Sequence, residues 1–302
     1  MRPWSTRMIL AACLSALFLG AWRLAPAPQD LSAVEIVARP VAGAVHYLEG
    51  FGGNIGVSVG ADGVLIVDDQ FADLAPRIRA ALDGLDGEGD GAPRFVLNTH
   101  FHGDHTGANP VFGRLAPIVA HENVRRRLVA GDRAERAMEP AGLPVITYAA
   151  ADGLSLYFNG EEIRVRHFPA AHTDGDSVVW FSGSKVLHTG DLFFNGMFPF
   201  VDLDSGGSVA GLTRAVADLL SDLAPDVKVI PGHGPLGDRA ALERYHEMLV
   251  RCQALVAEAL EAGEDVEAML ANGLLVDFES WSWGFIDTRR FLETLVREAR
   301  AR

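Results

Sequence analysis

Phe95-Val96-Leu97-Asn98-Thr99-His100-Phe101-His102-Gly103-Asp104-His105 is the stretch on which the reading of this chain turns. It opens with three apolar residues, the mark of a buried strand. The six residues after Thr99 hold three imidazoles and a carboxylate. Such donors suit zinc, manganese or iron. Placement matters as much as composition, because in open α/β architectures ligands gather just beyond the carboxyl ends of strands. Gly103 and Gly107 let the backbone bend tightly there.

Three later residues stand in similar strand-end contexts. His172 follows the expected strand Ile163 to His167, in Ala171-His172-Thr173-Asp174-Gly175-Asp176. Asp191 follows the expected strand Lys185 to His188, in Thr189-Gly190-Asp191. His233 follows the expected strand Val227 to Ile230, in Pro231-Gly232-His233-Gly234.

Period and punctuation supply the remaining elements. Val45 to Leu48, Ile55 to Val59 and Val64 to Asp68 read as short strands, and Phe71 to Leu85 as an amphipathic helix. Glu122 to Met138 reads as a helix. Leu154 to Phe158 and Ser177 to Phe181 read as strands. Ser208 to Leu223, Asp238 to Ala262 and Thr288 to Ala301 read as helices. The chain runs through the pattern twice, about Val45 to Met138 and Leu154 to Ile230. The expected fold is therefore α/β, two sheets face to face with helices outside, a four-layer αββα sandwich. Because the candidate ligands come from both passes, residues 28–302 read as one domain, with 238–302 as a C-terminal helical extension.

Length and composition agree. The 302 residues are 49% hydrophobic and 22% charged, enough for a large core without disulfides. A net charge of −14 argues against nucleic acid or an anionic membrane surface as partner. Residues 1–27 read as a secretory signal: Arg2 and Arg7 precede the apolar run Met8 to Trp22, and Leu24-Ala25-Pro26-Ala27 offers a small-residue cleavage site. The alternative is an uncleaved N-terminal anchor, although the run of 15 residues is short for a span. The expected location is outside the cytoplasm, periplasmic or secreted. Of the two cysteines, Cys13 lies in that segment, and Cys252 shares helical spacing with Leu249, Leu255 and Val256, so it reads as packing.

Taken together, H-x-H-x-D-H followed at long spacings by His, Asp and His resembles the metallo-β-lactamase-fold hydrolase superfamily, from about Val45 to Pro235. Asp68, at the end of its strand, resembles the family's first motif, where a carboxylate supports the metal-binding loop. The resemblance implies two divalent metal ions, zinc foremost. His100, His102 and His172 would hold the first, Asp104, His105 and His233 the second, and Asp191 would bridge them. It implies a shared hydroxide as nucleophile, oriented by the catalytic Asp104, and a small-molecule substrate with a carbonyl-centred bond: a lactam, lactone or thioester. β-Lactamases of this fold commonly carry Cys or Ser where Asp191 stands, so the fold's name does not establish β-lactam hydrolysis. His102 stands where the flavin-linked members carry Glu. The resemblance also admits a β-lactamase proper, an exported metal-binding accessory protein of a quinoprotein or oxidoreductase pathway, and an iron- or manganese-dependent redox member. The oligomeric state is left open.

His46, His121, His167, His188 and His246 read as structural histidines, with His167 and His188 near enough to the ligand loops to brace them. Trp281, Trp283 and Phe285 alternate, so an extended segment would put all three on one side. They would pin the last helix or wall the cleft. Phe193, Phe194, Met197, Phe198 and Phe200 follow Asp191 and could line the pocket, with Asn195 as a candidate for binding a substrate carbonyl or carboxylate.

Overall fold

The computed structural model describes residues 30–87, 90–131, 137–150 and 153–301. The expected leader at 1–27 lies outside the described residues.

The first sheet has seven strands in chain order: β1 (Val37–Ala42), β2 (Val45–Glu49), β3 (Ile55–Gly60), β4 (Gly63–Val67), β5 (Phe95–Leu97), β6 (Ile118–His121) and β7 (Ile146–Tyr148). β1 to β4 form an antiparallel meander, and β4 to β7 run parallel. The four helices of this half are α1 (Ala75–Asp86), the single turns α2 (Gly103–Thr106) and α3 (Asn109–Phe112), and α4 (Glu122–Ala130). The expected helix from Glu122 to Met138 is therefore too long. Gly131 takes φ 69°, which ends the α-helical path, and part of the remainder, 132–136, lies outside the described residues.

The second sheet has six strands, β8 (Leu154–Phe158), β9 (Glu161–His167), β10 (Ser177–Phe181), β11 (Val186–His188), β12 (Lys228–Ile230) and β13 (Gly237–Asp238), in the spatial order β13-β12-β11-β10-β9-β8. Its helices are α5 (Val209–Asp222), α6 (Arg239–Glu261), α7 (Val266–Ala271) and α8 (Thr288–Ala301).

Alternation along the strands builds the layers. Leu65 and Val67 of β4 face the second sheet and pack with Val165, Val179 and Phe181. Val64 and Ile66 face the other way, onto Ile78 and Leu82 of α1. The outer face of the second sheet, through Val178, Leu187 and Val229, packs on α5, α6 and α8. The result is the four-layer αββα sandwich. The segment 238–301 is integral to its last layer, since α6 and α8 share one continuous core with α5 and that sheet. Cys252 is buried within it, and burial pushes its thiol pKa up to about 12, as a packing residue requires.

This topology puts the chemistry at one edge. β4, β5 and β6 are mutually parallel. β11 and β12 are parallel to each other, and β9 runs with them because β10 is antiparallel to both β9 and β11. The loops leaving β5, β9, β11 and β12 carry the seven candidate ligands. His121 closes β6, and His188 closes β11.

Candidate metal centre

All seven sequence-expected donors meet, in two groups. His100, His102, His172 and Asp191 form one, and Asp104, His105 and His233 the other; within each group the donor atoms lie within 4.8 Å of one another. Asp191 joins the groups. Its Oδ2 lies 3.3 Å from His172 Nε2 and 3.8 Å from His100 Nε2. Its Oδ1 lies 3.1 Å from His105 Nε2 and 3.5 Å from His233 Nε2. His102 Nδ1 sits 2.8 Å from His172 Nε2, and Asp104 Oδ2 sits 3.2 Å from His233 Nε2.

Most of these imidazoles are aimed by a partner on the opposite nitrogen, which fixes ring and tautomer. Asp68 is the hub. It follows β4 with φ 65°, a left-handed backbone unusual for a residue with a side chain. Its carboxylate accepts from Thr99 N at 2.8 Å, Thr99 Oγ1 at 2.7 Å and His105 Nδ1 at 2.8 Å. Because the Thr99 hydroxyl donates to Asp68, it accepts from His100 Nδ1 at 3.0 Å. One carboxylate thus orients a histidine in each group. His172 Nδ1 donates to the Phe200 carbonyl at 2.8 Å. His102 Nε2 donates to Asp202 Oδ2 at 3.2 Å.

Close approach explains two glycines. A methyl group on Gly53 would lie 2.1 Å from the His105 ring, and one on Gly232 would lie 2.0 Å from Asp191 Oδ1. Asn54 ties these loops together, donating to the carbonyls of Pro231 at 3.0 Å and Gly234 at 2.9 Å. His188 is outside both groups, yet it braces the same region: its Nε2 donates to Asn54 O at 3.0 Å and its Nδ1 accepts from Gly190 N at 3.2 Å.

Electrostatics separates the groups. Burial drives His100 well below the ordinary histidine value and His172 down to about 4, although Asp191 opposes this. Burial acts on His233 and His105 in the same sense, but there carboxylates win. Asp191 and Asp104 hold His233 at about 9, and Asp191, Asp104 and Asp68 hold His105 well above the ordinary value. Asp191 stays well below the carboxylate range despite its burial, because four imidazoles surround it.

The donor chemistry fits divalent cations. His100 Nε2 is buried without a hydrogen-bond partner and points into the cluster. An unpaired buried acceptor costs roughly 1–3 kcal/mol, which a coordinated cation would offset. Imidazole with carboxylate is also a ligand set that suits zinc, iron or manganese.

Other expectations are redistributed. Asn195 braces the His233 loop: its Nδ2 donates to the Pro235 carbonyl at 2.8 Å and its backbone N–H to the His233 carbonyl at 2.9 Å. Of the aromatic run after Asp191, Phe194 and Phe200 line the cavity beside the donors, whereas Phe193 and Phe198 are in the core. Trp281 ends a 3₁₀ segment, Val276–Trp281, which breaks the expected alternation. It turns toward Tyr245, with ring centroids 6.3 Å apart, while Trp283 and Phe285 reach the cavity. Asp202 was not singled out by sequence. It opens Asp202-Leu203-Asp204-Ser205 and accepts from Ser205 N at 3.1 Å, so its local signal is that of an ordinary turn cap. Burial opposes its charge, but hydrogen bonds from His102 and Ser205 hold its pKa below the usual carboxylate range.

Comparison with known proteins agrees with this architecture. The family model described as the metallo-beta-lactamase superfamily matches residues 48–233. A hydroxyacylglutathione hydrolase of Polaromonas sp. is 29% identical over 140 residues, 46% of this chain and 47% of that protein. A hydroxyacylglutathione hydrolase of Methylococcus capsulatus is 32% identical over 99 residues, 33% of each chain. The match thus spans half or less of the length of these two curated relatives. The solved metallo-beta-lactamase from Pontibacter korlensis superposes with a TM-score of 0.59, at 17% identity, over 71% of this chain and 99% of that one; it shares the fold.

Proposed function

Since this chain belongs to the metallo-beta-lactamase superfamily, we propose that it is a dinuclear hydrolase that attacks a carbonyl-centred bond, that of a lactam, lactone or thioester, with hydroxide. His100, His102 and His172 would hold one ion, zinc foremost, and Asp104, His105 and His233 the other. Asp191 would serve both. The observation that carries the reading is the division of Asp191, with Oδ2 turned to one group and Oδ1 to the other. The curated relatives named as hydroxyacylglutathione hydrolases support hydrolysis as the reaction class.

A pair of cations bound there would supply a water that deprotonates near neutral pH and a Lewis acid for a carbonyl oxygen. The chain's own residues do the rest. Asp104 is the most open of the seven donors, with 29% of its side chain exposed toward the cavity. It would orient the attacking oxygen and accept its proton. Asp68 and the Phe200 carbonyl keep the imidazoles aimed, so little reorganisation accompanies reaction. Phe194 and Phe200 line the cavity beside the donors. Residues 1–27 are read as an export leader, which sets this chemistry in the periplasm or outside the cell.

Elemental analysis with a hydrolysis panel of lactams, lactones and thioesters tests the reading. The expected result is two metal equivalents, turnover of at least one class, and a loss of about 10²-fold or more in Asp104→Ala. Equal turnover by Asp104→Ala and wild type would refute the assignment.

A further inference from the structure

The cavity beside the seven donors encloses about 290 Å³. Beyond the donors, its wall is aromatic. Phe194 lies nearly parallel to His233, with centroids 5.1 Å apart and planes at 15°. Trp283 stands 5.9 Å from His233 and 5.8 Å from Phe285. Phe285 stands 5.5 Å from Phe200, which in turn flanks His102 at 5.6 Å and His172 at 5.8 Å. The four rings form an unbroken arc from one donor group to the other. The Trp283 indole N–H already donates to the Phe198 carbonyl at 2.9 Å, so that side chain has only its ring to offer a ligand.

Cations are absent from this wall among the described residues. Two guanidinium groups nearby stand outside the lining. Arg290 lies over the Phe285 ring and donates to the Phe285 carbonyl, and Arg297 pairs with Asp204. The one further charged side chain on the wall is Asp202, and it is negative. With the acyl carbonyl at the donors, an anionic arm lying along this wall would give up water without meeting a cationic side chain there and would face Asp202. An aromatic arm would find edges and faces at the spacing such rings prefer.

We propose that this cavity selects acyl groups carrying an aromatic or other uncharged apolar arm and rejects acyl groups whose arm is an anion. The inference rests on the hydrolase reading for the position of the acyl carbonyl, but the preference of the wall is a matter of binding alone.

Two measurements on the zinc-loaded full chain separate these. The first is binding of acetamide, phenylacetamide and 4-sulfophenylacetamide, followed by calorimetry and by tryptophan fluorescence, with Trp283→Phe assigning the signal. The second is kcat/KM for the ethyl thioesters of the three corresponding acids. Phenylacetamide is expected to bind at least about tenfold more tightly than either companion, and the thioesters to follow the same order. Phe285→Lys, at a rim position 46% exposed and so tolerant of change, is expected to raise sulfonate affinity about tenfold. Sulfophenyl binding equal to phenyl binding, no gain from the ring, or no response to Phe285→Lys would each overturn the proposal. Ring-selective binding with no turnover of any thioester, lactone or lactam would sink the hydrolase reading and leave this one standing; turnover without ring preference would do the reverse.

Discussion

Two groups of buried histidines sit at the same edge of this molecule, and they differ in company. At the candidate metal centre five imidazoles surround the carboxylates of Asp104 and Asp191. Nearby, at the ends of β6 and β9, His121 and His167 stack face to face, with centroids 3.6 Å apart and planes at 9°. Each group holds an orphaned nitrogen, His100 Nε2 in one and His121 Nε2 in the other. Burial alone therefore does not mark a ligand. In the stacked pair, burial keeps both rings below the ordinary histidine value, and at His167 the neighbouring His121 adds to the effect. Their remaining partners are backbone: His121 Nδ1 accepts from Asn123 N at 3.2 Å and His167 Nδ1 donates to Asp176 O at 2.8 Å. At the centre, convergent carboxylates reverse the effect of burial on His105 and His233. The lesson is that a carboxylate aimed at the open nitrogens distinguishes a cation site from packed imidazoles.

Asp191→Ala is the most direct way to break that contrast. It should leave two nests of imidazoles without their shared bridge, lower the bound metal in both groups and reduce hydrolysis by about 10³-fold or more. Full metal content in this variant, by elemental analysis, would count against the bridge. Chelation should likewise abolish activity, but the fold should survive, because the layers on either side of each sheet are packed independently of the donors. Circular dichroism before and after chelation checks this; cooperative loss of the helical signal is the contrary outcome.

A smaller effect is expected from Asp68→Asn. Asn keeps the size of the side chain but weakens the support for His105 and, through Thr99, for His100, so metal affinity should fall about 10- to 100-fold. Competition with a metal indicator measures it, and unchanged affinity would show that the hub is dispensable.

The mildest prediction concerns the stacked pair. Both histidines have folded-state pKa values below 6.5, so below that pH the unfolded chain binds more protons than the folded one. Their contribution to stability is therefore full above pH about 6.5 and declines as the pH falls through it. His167→Gln should flatten the slope of thermal stability between pH 7.5 and 5.5 while leaving hydrolysis near neutral pH in place. A slope as steep as that of the wild type would locate the acid sensitivity elsewhere.

Much of this was legible in the chain because the signals were local. Val64 to Asp68 and Phe95 to Leu97 announce themselves as apolar runs, and the loop that carries His100, His102, Asp104 and His105 begins two residues after the second. β6 escaped notice: it has four residues, is buried throughout, and so has neither the length nor the alternation of a half-exposed strand. β1 pairs only at the sheet edge, and its segment, Val37-Ala38-Arg39-Pro40-Val41-Ala42, carries a proline and a charge that blur the pattern. Asn195 and Asp202 could not be sorted by residue type. Both are polar residues in loops after Asp191, and only the fold decides that the first grips a backbone carbonyl while the second reaches His102 from 100 positions away in sequence. The aromatic triplet failed in part for the same reason, since the turn at Trp281 shifts which rings share a face.

The segment around Phe198 is laced to the chain's tail, its N–H donating to the Trp281 carbonyl at 2.8 Å and its own carbonyl accepting from Trp283. Recognition and reactivity therefore have separate addresses. The donors hang from strand ends between residues 100 and 233, whereas half of the aromatic arc arrives on a stretch more than forty residues downstream. Editing that stretch can reshape the mouth of the cavity while every donor keeps its place in the chain, with Trp283, beside His233, as the position where the two addresses meet.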